Sequence, residues 1–131
     1  MHIGIAAKDA EKAVRRLESL GLGPFEAMTS RPSFWDEETE TETVGYLAKI
    51  GNMEIEVFQP PTGKTLFKEF VESKGEGIHH LGFLVDDIEA ATTALAQEGF
   101  SFLTRGKARG IEWADYDIGF GGIVFQLIKR S

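Results

Sequence analysis

Residues 2–22 read HIGIAAKDAEKAVRRLESLGL, and residues 80–100 read HLGFLVDDIEAATTALAQEGF. Laid over each other without a gap, the two stretches agree at seven of 21 positions: His2/His80, Gly4/Gly82, Asp9/Asp87, Glu11/Glu89, Ala13/Ala91, Leu17/Leu95 and Gly21/Gly99. A repeat at one fixed offset indicates that a single supersecondary unit occurs twice in the chain. The sequence therefore predicts two copies of a strand followed by a helix, and each copy opens with a histidine.

The first strand of each copy has two chemically different faces. Alternation along residues 2–7 places Ile3 and Ile5 on one side and His2 and Gly4 on the other, because successive side chains of a strand point to opposite faces. The bulky face suits packing beneath a helix, and the face with the histidine suits the wall of a cleft. The second copy repeats this arrangement.

Turn and capping signals divide the rest of the chain. Helices are predicted from Asp9 to Gly21 and from Asp86 or Asp87 to Gly99, since Asp is a preferred N-cap and Gly a preferred C-cap. Further strands are predicted at residues 24–31, 43–50, 53–59, 101–105, 111–117 and 121–128, and an amphipathic helix at 65–74 connects the halves. Each half reads β-α-β-β-β, within one domain over 1–131: module 1 at about 1–60, a linker at about 61–77 and module 2 at about 78–131.

The composition excludes several classes of function. A net charge of −7 over 131 residues argues against duplex nucleic acid or an anionic membrane as a partner. Cysteine is absent, so disulfides, thiolate metal sites and cysteine nucleophiles are all excluded. No apolar run approaches the roughly 20 residues of a membrane span, and no signal-peptide pattern opens the chain. We expect a soluble, cytoplasmic protein.

The repeat pairs four residues that could share one site. The stretch GNMEIEVF at 51–58 lies over GGIVFQLI at 121–128, which places Glu56 over Gln126, as His2 lies over His80. Strand parity directs all four away from the helix-covered face, so a pseudo-twofold axis would bring them together. Two imidazoles, a carboxylate and an amide oxygen suit an open divalent-metal site for Zn, Co, Ni, Mn or Fe. Such a site is a Lewis acid for a substrate that offers two oxygens.

On these residues the chain resembles the vicinal oxygen chelate superfamily, which includes glyoxalases, extradiol dioxygenases, fosfomycin-resistance proteins and methylmalonyl-CoA epimerases. The resemblance runs from HIGIAAKD through GNMEIEVFQP to the last strand, and GIHHLGFLVDDIEAA at 77–91 is its most specific part. It is closest to the epimerase branch. It implies an α+β fold in which two tandem βαβββ modules form a curved mixed sheet with a central groove and outer helices. It also implies metal ligands at His2, Glu56, His80 and the position of Gln126.

Two positions depart from the epimerase and glyoxalase pattern. The last-strand position is usually a glutamate that binds metal and moves a proton, whereas Gln126 has an amide that cannot act as a base. The resemblance places a second family carboxylate at the position of Gly45, which carries none. Glu56 is therefore the candidate catalytic residue, with Glu54 on the same face or a metal-activated water as the alternatives.

Other residues are candidates for contact with the substrate. Trp35, beside Phe34 in an acidic loop, either plugs the fold or lines a pocket. Trp113 is a second candidate wall. Arg109, in a basic cluster with Arg105 and Lys107, is a candidate grip for an anionic substrate. His79 is expected on the opposite face from His80, in a structural role.

Three functions follow from this reading. The first is a metal-dependent isomerase or lyase of epimerase or glyoxalase type, which chelates vicinal oxygens of a small acid or thioester and stabilises an enediolate. The second is a non-catalytic, resistance-type binding protein of the same fold, as the missing carboxylates at Gln126 and Gly45 would allow. The third is an Fe(II) ring-cleaving dioxygenase. The modular architecture and exposed strand edges favour a homodimer.

Overall fold

A computed structural model describes residues 1–28, 44–59, 72–108 and 110–130. The strands are β1 (His2–Ala6), β2 (Glu26–Met28), β3 (Val44–Ile50), β4 (Met53–Gln59), β5 (Gly77–Leu84), β6 (Ser101–Ala108), β7 (Ile111–Asp117) and β8 (Val124–Arg130). The two long helices are α1 (Ala10–Ser19) and α2 (Ile88–Gln97). Each half therefore has the predicted order of one strand, one helix and three strands.

The strands form one mixed sheet in the order β2-β3-β4-β1-β5-β8-β7-β6. The first half forms one side of the sheet, in the order β2-β3-β4-β1. The second half forms the other side, with its equivalent strands in the mirrored order. β1 and β5 meet antiparallel in the middle, and each pairs in parallel with the last strand of its own half, β4 or β8. The predicted pairing of two βαβββ units is confirmed, and the boundary between them is the β1–β5 seam.

Both helices begin at the aspartates that the repeat aligns. Asp9 accepts a hydrogen bond from the backbone N–H of Lys12, and Asp87 accepts one from that of Ala90, so each satisfies a donor that the first helical turn leaves open. The caps hold α1 over β3 and β4, and α2 over β7 and β8. Within the described ranges, neither helix has the length and apolar character that crossing a membrane requires.

The apolar faces of the strands pack under these helices as two separate cores. In the first half the buried set is Ala7, Ala10, Val14, Ile55 and Val57. In the second half it is Ile88, Ala114, Tyr116 and Leu127. Burial of the valine, isoleucine and leucine side chains among them contributes on the order of 1.5–3 kcal/mol each. The opposite face of the sheet, which we call the site face, is left to other residues.

Some predicted boundaries were wrong. β6 runs three residues past the predicted end at position 105, and β8 begins at Val124 rather than at 121. Gly121 and Gly122 have φ angles of 66° and 65°, a left-handed conformation that makes a turn and cannot continue a strand. Strands 53–59 and 111–117 were predicted correctly. Of the predicted linker helix, residues 72–74 are helical and 65–71 lie outside the described residues.

Candidate metal centre

Two rows of residues cross the middle of the sheet on the site face. Residues in register on neighbouring strands project to the same side, so each row can be followed from strand to strand. The first row runs from β4 through β1 to β5, as Glu56, Gly4 and His80. The second runs from β1 through β5 to β8, as His2, Gly82 and Gln126. The pseudo-twofold relation of the halves exchanges one row with the other.

The glycine at the centre of each row makes room for a histidine ring. A methyl group in place of the Gly4 hydrogen would overlap the imidazole of His80, and one at Gly82 would overlap the imidazole of His2. The HxG pattern at the start of each repeat is therefore reciprocal, because the histidine of one copy lies over the glycine of the other. This brings the two rings to the seam.

Three of the four predicted ligands converge at this point. The Nε2 atoms of His2 and His80 are 3.0 Å apart. Each of His2, Glu56 and His80 offers a ligand atom, and these atoms lie within 4.8 Å of one another. Two imidazoles and a carboxylate at this spacing could hold one divalent ion, since typical metal–ligand distances are about 2.0–2.2 Å. One histidine comes from each repeat.

The expectation that His79 faces away from His80 is wrong. The pairing of β5 with β1 skips a residue between His80 and Ile78, and this β-bulge allows successive side chains to share one side. The Nδ1 atoms of His79 and His80 are 3.0 Å apart. For His80 to keep a lone pair on Nε2, its Nδ1 must carry the proton and donate it to His79. A hydrogen bond in this direction would fix the tautomer and orientation of His80.

Phe58 completes the support behind the histidines. It lies two residues after Glu56, on the same face of β4, and is 1% exposed. Its ring stacks on His80 at a centroid distance of 5.9 Å and meets His79 edge-on at 5.8 Å. The structure shows that it packs against both imidazoles.

Burial sets the protonation of the site. Burial lowers the pKa of His80 well below its usual value, and the neighbouring His79 and His2 lower it further. Burial also lowers the pKa of His2, against the opposing effects of Glu54 and of a hydrogen bond with Gln126. The imidazoles are therefore neutral near pH 7, the state in which they bind metals. Burial, with a smaller effect from Glu54, raises the pKa of Glu56 to about 7.

A buried carboxylate beside Gln126 was missed at the sequence level. Asp115 on β7 is in register with Gln126 on β8 and is 3% exposed. Burial raises the pKa of Asp115 to about 7, against a hydrogen bond with Gln126 that lowers it. Its Oδ1 atom has no hydrogen-bond partner in the described part of the chain. In the sequence, Asp115 lies two residues from Trp113 and therefore on the same face of the strand. The structure shows that the centre of this strand is buried on both faces.

The predicted substrate contacts are only partly described. Trp113 lies on the site face, 6% exposed, where its indole covers Gly106 at the β6 side of the sheet. Trp35 and Arg109 lie outside the described residues. The other members of the basic cluster, Arg105 and Lys107, pair with Glu112.

Arg105 also pairs with Glu89 of α2, so it is held on the helix-covered side. Both of its carboxylate partners lie on the far side of the sheet from the imidazoles, and Arg109, the residue predicted to grip a substrate, lies outside the described residues.

Comparison with known proteins identifies the family of the chain. The family model described as the Glyoxalase/Bleomycin resistance protein/Dioxygenase superfamily matches residues 1–120. The chain belongs to this superfamily. Solved structures of similar fold include a hypothetical protein of Bacillus halodurans C-125, at 23% identity and a TM-score of 0.76, covering 99% of this chain and 92% of the other.

The methylmalonyl-CoA epimerase of Mycobacterium tuberculosis has the same fold, at 18% identity and a TM-score of 0.72, with coverage of 99% of this chain and 86% of the epimerase. Among curated proteins, the uncharacterized protein YqjC of Bacillus subtilis (strain 168) is 25% identical over 107 residues, which cover 74% of this chain and 76% of YqjC. The resemblance to the superfamily is confirmed. At these identities the similarity to the solved structures concerns the fold.

Proposed function

We propose that the chain is a divalent-metal-dependent enzyme of epimerase or glyoxalase type. Its substrate is a small acid or thioester whose two vicinal oxygens are chelated and whose enediolate is stabilised in the site. One observation carries the proposal: ligand atoms of His2, Glu56 and His80 lie within 4.8 Å of one another at the seam between the two halves. The superfamily's epimerase members support the reaction class.

The donor set fits a divalent ion with open positions. Two neutral imidazoles and one carboxylate leave a net charge of about +1 on the complex with a divalent ion, which favours a substrate that becomes anionic during the reaction. Nitrogen and oxygen donors without thiolate suit Zn, Co, Ni, Mn and Fe. Gln126, in the second row, is the fourth ligand in this proposal. A bound ion supplies Lewis-acid chemistry, which polarises the substrate oxygens and acidifies the adjacent C–H.

Glu56 is the proposed catalytic residue. Its carboxylate is among the ligand atoms that lie within 4.8 Å of one another, and the ionised form that holds the ion is also the form that can accept a proton. His79 and Phe58 hold His80 in place behind it. The neutral side chains of His2 and His80 do not compete for the proton.

A second candidate is a non-catalytic binding protein of the same fold. The observation that favours it is the pair of positions without a carboxylate, Gln126 and Gly45. An amide and a glycine cannot carry protons, so a two-base reaction lacks both of the groups that the family resemblance leads us to expect there. In either case we propose a small anionic ligand in the groove, with Trp35, Trp113 and Arg109 as its contacts, and a homodimer as the assembly.

Metal content and proton exchange test the proposal together. The chain is purified without chelator or histidine tag, and metal per chain is measured by mass spectrometry for wild type and His80→Ala. Each protein is then incubated in D₂O with a panel of 2-substituted acyl thioesters and 2-hydroxy or 2-keto acids. We expect near-stoichiometric metal and metal-dependent deuterium incorporation at the α-carbon in wild type only.

Each of the other outcomes supports a different conclusion. Metal without exchange on any member of the panel supports the binding protein. Fe(II) with consumption of oxygen and a catechol supports the dioxygenase. The absence of metal in wild type after incubation with divalent ions rejects the enzyme.

A further inference from the structure

The two halves of the site differ in a correlated way. On the first half, Glu56 is in register with Leu47 of β3. On the second, the equivalent position is Gln126, in register with Asp115 of β7. The carboxylate therefore has an apolar neighbour, whereas the amide has an acidic one. The two halves thus differ at both members of a cross-strand pair: Leu47 and Glu56 in the first half correspond to Asp115 and Gln126 in the second.

This correlation has a chemical reason. The two oxygens of a carboxylate are equivalent, so either end of Glu56 can face an ion. An amide presents an oxygen on one side and an NH₂ on the other. Only the oxygen of Gln126 can bind a cation, so the side chain is useful as a ligand in one of its two orientations.

Asp115 selects that orientation. An ionised carboxylate only accepts hydrogen bonds, so an ionised Asp115 places the Nε2 donor of Gln126 next to itself across the β7–β8 register. The Oε1 atom then points the other way along the row, over Gly82 toward His2, with which the amide also hydrogen-bonds. The orientation that satisfies Asp115 is thus the one that presents oxygen to the centre.

The burial of Asp115 indicates that packing alone does not account for it. Its side chain is 3% exposed, and Oδ1 has no hydrogen-bond partner among the described residues. Burying a carboxyl group with an unsatisfied oxygen is costly. The equivalent site in the first half, at Leu47, is filled by an apolar side chain. Packing at the equivalent position therefore does not require an acid, and the polar neighbour that distinguishes Asp115 is Gln126.

We propose that Asp115 is a positioning residue that makes Gln126 a metal ligand by fixing its amide oxygen toward His2. The inference rests on the proposed metal centre. Outer-shell partners of this kind change metal affinity by about 10–100-fold when they are removed. Asp115 acts through Gln126, so its importance depends on the residue at position 126 being an amide.

A double-mutant cycle read out by Co²⁺ binding tests this dependence. The dissociation constant for Co²⁺ is measured by competition with a chromophoric chelator, and the visible absorption spectrum of bound Co²⁺ reports its ligand set. The variants are wild type, Asp115→Leu, Gln126→Glu and the double variant, which reproduces the Leu47–Glu56 pair of the first half. We expect Asp115→Leu to weaken Co²⁺ binding by about 10–100-fold in the wild-type background. In the Gln126→Glu background we expect it to weaken binding by no more than about threefold and to leave the spectrum unchanged.

Equal losses in both backgrounds would overturn the inference, because a general effect of charge or of folding does not depend on the residue at position 126. An unchanged dissociation constant in Asp115→Leu would overturn it as well, while leaving the metal centre intact. A wild-type protein that binds no Co²⁺ would reject the proposed function and this inference with it. If Asp115→Leu does not fold, Asp115→Ala in the same two backgrounds provides the same comparison.

Discussion

The imidazole of His2 lies directly over Gly82, two residues along β5 from His80, and the imidazole of His80 lies over Gly4 in the same way. The close approach requires a residue without a Cβ atom at both positions. Each half of the chain thus supplies the space that the other half's histidine occupies. The two rings can approach one point because glycine, which has no side chain, occupies both positions.

Substitution of either glycine should therefore remove the site. We expect Gly82→Ala to displace the His2 ring and to weaken divalent-metal binding by more than about tenfold, measured by metal content and chelator competition. Gly106→Ala is the matched control, because a methyl group there would overlap the ring of Trp113 instead. Both variants should lose on the order of 1–3 kcal/mol of stability through overpacking. Loss of metal from Gly106→Ala would show that the effect is not specific to the histidines.

His79 should matter for metal affinity, although it does not reach the centre. We expect His79→Phe to keep the aromatic packing against Phe58 and to remove the acceptor for the Nδ1–H of His80. Metal affinity should fall by about 10–100-fold. His79→Asn, which keeps a side-chain acceptor, should retain more of the affinity. If His79→Phe binds metal as tightly as wild type, the hydrogen bond does not orient His80.

Metal should stabilise the fold across the β1–β5 seam. At a free ion concentration of 100 times the dissociation constant, we expect about 2.7 kcal/mol of additional stability in wild type. Urea denaturation with and without Co²⁺ measures this difference. His80→Ala should show no such gain, and Lys107→Ala, an exposed substitution on the helix-covered side, should show all of it. A gain in His80→Ala would place the binding of the ion elsewhere.

Ionisation of the buried Asp115 should make the metal-free protein less stable as pH rises. Burial raises its folded-state pKa from 3.8 to about 7, so between these values the folded state holds a proton that the unfolded state has lost. The stability that this proton provides is lost as pH rises through the folded-state pKa. The advantage of Asp115→Asn over wild type should grow by roughly 2–3 kcal/mol between pH 5 and pH 8.

Urea denaturation of the metal-free proteins at the two pH values measures this change. Asp117→Asn, an exposed substitution on the same strand, should show no comparable growth. A constant difference between Asp115→Asn and wild type would mean that Asp115 does not change its protonation in this range.

Much of the fold could be predicted from the repeat. The alignment of His2 with His80 set the order of elements, the faces of the first strands and the pairing of the ligands, because each of these depends on local periodicity and on duplication. Glu56 could be assigned to the same face for the same reason. These residues follow a regular strand pattern, which the sequence displays directly.

The residues that the sequence missed depend on irregular or long-range pairing. His79 lies on the same side as His80 because of a bulge in β5 opposite β1, and the residue pattern of β5 does not predict this bulge. Asp115 meets Gln126 through the register of β7 and β8, which depends on the turn between them. The pairing of Arg105 with Glu89 could not be predicted, because Glu89 lies on α2, a neighbour that only the fold reveals.

The equal division of the proposed ligands across the seam has a consequence for dividing this protein into two fragments. His2 and Glu56 belong to one half, and His80 and Gln126 to the other, so neither half alone contains more than two of the four proposed ligands. Fragments ending and beginning in the 60–71 connection would each expose the long edge of β1 or β5 and would reassemble along it. The ion would act as a cross-link between the two fragments, and their reassociation would report the metal concentration.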